Sequence, residues 1–263
     1  MSYHERRQQL ADTLKQQTAG SVRLDKTTSN VFRDRPTAQA QRLLDVSQFN
    51  HVLNVDPQNS LIETEGMTTY EALVDRSLSH GVMPAVVPQL KSITIGGAVS
   101  GIGIESSSFR YGLPHESIGE MDVLLGSGEV VTCTPDNEHR DLFYGLANSY
   151  GTLGYILRLT VLAIPVKPYV QLTHIRFTDV SALFVAVRTW AERAIDFMDG
   201  TVFQPGEHYL TIGRFVDDAP YTSDYTWMDI YYRSIPTRSE DYLTVRDYLW
   251  RWDTDWFWCS KNL

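Results

Sequence analysis

Thr94-Ile95-Gly96-Gly97-Ala98-Val99-Ser100-Gly101-Ile102-Gly103-Ile104-Glu105-Ser106-Ser107-Ser108 packs four glycines and four serines into fifteen residues. Glycine lets a backbone come within hydrogen-bonding distance of a ligand, and successive main-chain N–H groups can cradle a pyrophosphate through their summed positive charge. Taken alone, such a run reads equally as a tight structural turn. A Rossmann-type dinucleotide fingerprint needs G-x-G-x-x-G opening a helix after a strand. Gly101-Ile102-Gly103 supplies the first half, but Ser106 stands at the third position and a serine triplet follows in place of a helix. A P-loop needs Gly-Lys-Ser/Thr, which is missing.

Upstream of the run, residues 83–87 form an apolar strand ending at Pro88, and residues 70–78 a short amphipathic helix between Thr68-Thr69 and Gly81. Strand signals at 22–24, 51–55 and 61–64 predict a small sheet. Residues 5–17 read as a polar helix with little apolar face, expected to pack loosely. Downstream, 122–125 and 129–133 predict a hairpin across Gly126-Ser127-Gly128, where glycine adopts positive φ without strain. A helical turn at 141–147, a tight connection at 151–154 and a long apolar strand at 155–164 follow. Beyond Pro165 and Pro168 the pattern restarts: strand 172–177, helix 180–194, strands near 201–203, 209–215 and 226–232, and helix 240–250. This predicts an α+β chain in two parts, 1–167 and 168–263.

Composition narrows the function classes. With 263 residues, 43% hydrophobic and 21% charged, the chain can bury a full core. A formal net charge of -9 with no stripe of Lys and Arg argues against nucleic acid as a partner. The two cysteines, Cys133 and Cys259, stand far apart with no CxxC or Cys/His spacing, so neither a metal site nor a disulfide framework is expected, and a cytoplasmic location is. The N-terminus has no apolar secretory core. The apolar stretch 155–166 is too short to span a bilayer and contains Arg158, which leaves only peripheral membrane contact open.

Further motifs follow the glycine run in order: GIGIESSS at 101–108, YGL at 111–113, Thr134-Pro135, DLFY at 141–144 and GTLG at 151–154. This series resembles the PCMH-type FAD-binding domain of the vanillyl-alcohol oxidase superfamily, and within it the delta-24-sterol reductases. The resemblance implies a two-subdomain α+β cradle holding FAD extended, followed by a substrate-cap domain. It implies cofactor contacts from Thr94, Ile95, Gly96, Gly97, Ser100, Gly101, Ile102, Gly103, Ile104, Glu105, Ser106, Ser107 and Ser108, and from Gly151, Gly154 and Ile156. A β-branched residue at Gly101 or Gly103 is expected to block backbone approach and to resist positive φ.

The same resemblance implies redox chemistry at a carbon–carbon bond of a small apolar, sterol-like substrate, with NADPH open as electron donor. Some members of the superfamily attach flavin to His or Cys. No histidine lies in 26–30, the segment that stands where the family has its first pyrophosphate turn, so noncovalent FAD is expected. Family chains carry a fuller N-terminal subdomain and continue past the aromatic segment 250–258. The expected cap is therefore incomplete, and a truncated, catalytically silent FAD-binding module is the alternative.

Four features invite a role. His115 is a loop imidazole near the site or a solvated one. Glu105 interrupts an apolar loop and either caps local N–H groups or helps to orient flavin or substrate. Arg110 could pair with Glu105, with a phosphate, or with water alone. Trp250, Trp252, Trp256, Phe257 and Trp258 form core, pocket lining or exposed apolar surface. No residue presents itself as the catalytic acid or base.

Overall fold

The computed structural model describes residues 1–16, 22–25, 42–226 and 229–253. In chain order these form α1 (Tyr3–Gln16), β1 (Val22–Asp25), β2 (Arg42–Asp45), β3 (Val52–Asp56), β4 (Leu61–Glu65), α2 (Tyr70–Leu78) and β5 (Val82–Pro84). Next come α3 (Ile95–Gly101), α4 (Ser108–Tyr111), β6 (Ile118–Leu124), β7 (Val130–Cys133), α5 (Arg140–Gly145) and β8 (Tyr155–Pro165). The second part holds β9 (Tyr169–Phe177), α6 (Val180–Ala191), β10 (Phe197–Gln204), β11 (Glu207–Val216), α7 (Tyr231–Ser234), β12 (Glu240–Thr244) and α8 (Val245–Trp250). The fold is mixed α+β.

The first sheet runs β3-β4-β8-β6-β7, with β5 also pairing β8, and β1 and β2 pair in parallel beside it. β8 is the hub because its eleven residues are long enough to carry three neighbours along their length. Its inward residues Leu159, Val161 and Ala163 join Ile62, Leu73, Val99 and Val123 in the main core. After residues 166–168 the chain enters an antiparallel sheet of order β10-β11-β9-β12. Val170, Leu172, Phe197 and Tyr248 from that sheet and α8 belong to the same core.

Several expectations need correction. α1 packs firmly: Leu10, Ala11 and Leu14 are buried against Phe49, Leu124 and Leu157. Its polar residues reach inward too. Arg6 pairs with the fully buried Glu65, and the Tyr3 hydroxyl donates to Asp122 Oδ2 at 2.7 Å. Asp122 also accepts from Arg158 Nε at 3.0 Å, and Arg158 reaches Glu63 at 2.6 Å and Glu120 at 2.5 Å. Burial alone would raise the Asp122 carboxyl; hydrogen bonds from Arg158, Tyr3 and Thr132 outweigh it and hold the group below the usual carboxylate range.

Residues 240–244 are strand, with helix only from Val245. Asp241 faces inward beside Leu243, accepting from the Tyr225 hydroxyl and from Ser223 Oγ at 2.6 Å, so an inward position reads as polar. Residues 231–234 are a helical turn, not strand, because Tyr231 folds in against Tyr225 and Trp252. β5 is shorter than the expected strand. Trp250 and Trp252 are buried core, which overturns an exposed aromatic surface there; Trp256, Phe257 and Trp258 lie outside the described residues, as do 26–30. Among the described residues no helix is long and apolar enough to cross a membrane.

Candidate cofactor site

The glycine run begins as a helix, a correction to the loop reading. Thr94 Oγ1 accepts from the Gly97 N–H at 3.3 Å, and Ile95, Ala98 and Val99 are buried at helical spacing. Glycine's poor helix propensity hides that period in the sequence. At this end the glycines answer to the protein itself. A Cβ on Gly96 would lie 2.8 Å from the Gly66 oxygen, which accepts from the Gly96 N–H at 2.9 Å. A Cβ on Gly66 would lie 2.0 Å from the Ile156 oxygen, while its N–H donates to the Leu157 oxygen at 2.9 Å. Three backbones thus meet with no room for a side chain. Sequence reasoning missed Gly66; its one signal is an isolated glycine at a strand end, which marks close backbone approach.

Gly101 and Gly103 stand differently. Among the described residues a Cβ there would meet nothing nearer than 3.8 Å (Tyr150 Cε1) and 3.9 Å (Glu105 Oε1). Neither has positive φ; the strained residue is Ile102 between them, at φ 50° and ψ 162°. The positive-φ argument therefore moves from the two glycines to Ile102, which occupies a region that β-branched residues avoid at a cost of about 1–3 kcal/mol. The N–H groups of Gly103 and Ile104 donate to no other group among the described residues, and the Ile104 side chain is 79% exposed.

The 149–154 segment reaches this open end. The Tyr150 N–H donates to the Ser100 oxygen at 3.1 Å, Gly151 takes φ 81°, and Asn148 and Tyr150 also have positive φ. Gly154 is where β8 leaves the turn against β6: a Cβ there would fall 2.7 Å from Val123 Cγ1. Ile156 is buried behind it.

The serines tie the run to the rest of the chain. The Ser106 oxygen accepts from the Met198 N–H at 2.8 Å, and its hydroxyl oxygen accepts from the Tyr248 hydroxyl at 3.1 Å. Ser107 Oγ donates to the Ala85 oxygen at 2.7 Å, and Ser108 Oγ accepts from the Glu105 N–H at 2.9 Å. The Glu105 carboxyl makes no hydrogen bond or ion pair among the described residues, so it caps nothing. Arg110 donates to the Arg193 oxygen at 3.2 Å, not to Glu105. His115 sits in a 3-10 turn at 114–117.

Behind Glu105 lies a buried charged group. Arg251 donates to Asp199 Oδ2 at 2.5 Å and to the Tyr248 oxygen at 2.7 Å, with its guanidinium 3.8 Å over the Tyr248 ring. Burial, and next the Asp199 carboxylate, push the Glu105 carboxyl up to about 8, against the pull of Arg251. Burial also pushes the Tyr70 phenol well up, with the charge of Glu105 adding to it. Asp199 lines a cavity of about 440 Å³ with Gln89, Phe203, Tyr232 and Trp252, a largely apolar space with one carboxylate at its wall. Nothing in the sequence signals this pairing, because Asp199 and Arg251 are far apart in the chain and ordinary in their local surroundings.

Residues 7–134 match the family model of an FAD binding domain. Over 183 residues the chain is 29% identical to a delta(24)-sterol reductase of Pisum sativum, covering 65% of this chain and 32% of that protein. It is 29% identical over 227 residues to a delta(24)-sterol reductase of Rattus norvegicus, covering 81% and 43%, and 27% identical over 158 residues to cytokinin dehydrogenase 10 of Oryza sativa, covering 58% and 28%. The chain thus spans well under half the length of these curated relatives.

Proposed function

We propose that this chain, whose residues 7–134 match the family model of an FAD binding domain, serves a FAD-dependent oxidoreductase acting on a carbon–carbon bond of an apolar, sterol-like substrate. When bound, FAD supplies the hydride chemistry; the chain supplies binding, orientation and exclusion of water. The observation that carries this reading is the open end of the glycine run. At Gly101 and Gly103 the described residues make no steric demand for glycine, so the demand comes from a ligand, and the N–H groups of Gly103 and Ile104, unengaged among the described residues, suit a pyrophosphate or a ribityl oxygen.

On this reading the cradle is residues 100–104 together with the 149–154 turn. Thr94, Ile95, Gly96 and Gly97 position it through Gly66, Ser106 anchors it to β10 and α8, Ser107 to Ala85 just after β5, and Ser108 closes the run on the Glu105 N–H. The cavity beside Asp199 takes an apolar molecule, and residues 168–263 act as cap. NADPH is the reductant we propose, and the location is cytoplasmic with peripheral membrane contact.

The test is the absorbance of the purified protein. Flavin released intact by acid or heat is expected, together with its loss in Gly101→Val and Gly103→Val. Protein without flavin that also fails to take up added FAD would overturn the reading. Turnover of a delta-24 unsaturated sterol with NADPH is the corresponding test of the substrate and the donor.

A further inference from the structure

The Glu105 carboxyl lies over the open end of the cradle: its Oε1 is 3.9 Å from where a Cβ on Gly103 would stand, with no hydrogen-bond partner among the described residues. Titratable and charged groups face it from several elements. Asp199 comes from β10, Arg251 follows α8, Tyr70 belongs to α2, and Tyr248 of α8 is bonded to the adjacent Ser106. Arg251 is held by Asp199, so its charge is already largely matched and it leaves Glu105 only a weak counter-ion. A partly buried carboxylate with no partner among the described residues is costly, and a proton reduces the cost.

We propose that Glu105 is a proton-linked residue of the cofactor site, which holds its proton when the anionic dinucleotide lies against Gly101 and Gly103, so that binding takes up a proton at this carboxyl. The inference rests on the assignment of the cradle to FAD. The pyrophosphate brings negative charge beside Glu105, and an ionised carboxylate there would repel it. A neutral carboxylic acid removes that repulsion and offers an O–H donor to a phosphate or ribityl oxygen.

The sign follows directly. With FAD bound the carboxyl binds its proton more tightly than in the free protein, where it is already raised to about 8. Affinity is then highest below that value and falls as pH rises through it, by up to about tenfold per pH unit while only the free form ionises. The opposite slope would place the ionised form in the complex.

The experiment is titration calorimetry of the flavin-stripped full chain with FAD from pH 6.5 to 9.5, in buffers of different ionisation heat so that proton uptake is read independently of activity. Wild type is expected to lose affinity above pH 8 and to take up close to one proton per FAD there. Glu105→Gln is expected to bind with flat affinity over that range and no uptake. A wild-type affinity independent of pH, or the same slope and uptake in Glu105→Gln, would overturn the role of Glu105. Should Glu105→Gln fail to fold, proton uptake by wild type decides alone, since its absence sinks the proposal. Failure of wild type to bind FAD at any pH would instead overturn the cradle assignment beneath it.

Discussion

The glycines of the run divide into two populations that residue type alone does not distinguish. Gly96 has no room for a methyl group because Gly66 is in the way, and Gly66 has none because of Ile156. Gly66→Ala is therefore expected to lower stability by about 1–3 kcal/mol or more, read by chemical denaturation of the flavin-free protein, through overpacking against a backbone that cannot shift. Gly101 ends α3 with open space beside it, so Gly101→Ala is expected to leave the melting temperature of the flavin-free protein unchanged or slightly raised while weakening FAD retention. Equal loss of stability in both variants would mean that both glycines serve packing alone.

At the scale of elements, α1 shows how a polar helix can be structural. Arg6 is the cationic partner that answers Glu65, whose other contacts are the His51 ring and main-chain N–H. Arg6→Ala is expected to cost about 3–5 kcal/mol, because it strands a fully buried carboxylate. The double variant Arg6→Met with Glu65→Gln is expected to recover most of that, which a denaturation cycle over the four proteins measures.

Much of the element pattern was legible in the sequence. The core-facing strand at β8, the β6–β7 hairpin with Gly128 at φ 81° and the capped α2 all follow from apolar spacing and turn chemistry. What the sequence hid has a common cause: polar or glycine residues standing in buried positions. Asp241 disguised β12, Gly96 and Gly97 disguised α3, and Arg6 and Tyr3 made α1 look loose. In the candidate site, the convergence of residues 101–104 with the 149–154 turn followed from the family resemblance. Asp199 and Arg251 were not legible, since nothing local marks two residues 52 apart in the chain that meet only when the turn after α8 folds back onto β10.

For the whole molecule, the second sheet carries its own acid sensitivity. His174 of β9 is buried, its Nδ1 2.8 Å from Thr211 Oγ1 on β11. Burial, partly opposed by Asp241, depresses the ring to about 4. The unfolded chain, at an ordinary histidine value, takes up a proton that the folded chain refuses, so stability falls as pH drops from about 6.5 to about 4 and levels off below. The loss is roughly 3 kcal/mol from this group. His174→Gln is expected to flatten that part of the pH–stability curve, measured by urea denaturation at pH 7, 5 and 4; an unchanged slope would assign the acid sensitivity elsewhere.

The hydrogen-bonded chain from Gly96 through Gly66 to Leu157 also sets how the run should take up deuterium from heavy water. The Gly96 amide is locked to Gly66, and the Gly66 amide to the central strand, so both should exchange only when the core opens. A few residues on, the Gly103 and Ile104 amides bond to nothing among the described residues and should exchange within the dead time of the measurement. Adding FAD should then slow labelling at 103–104 against a silent background at 96, so that one short peptide carries both the internal standard and the signal.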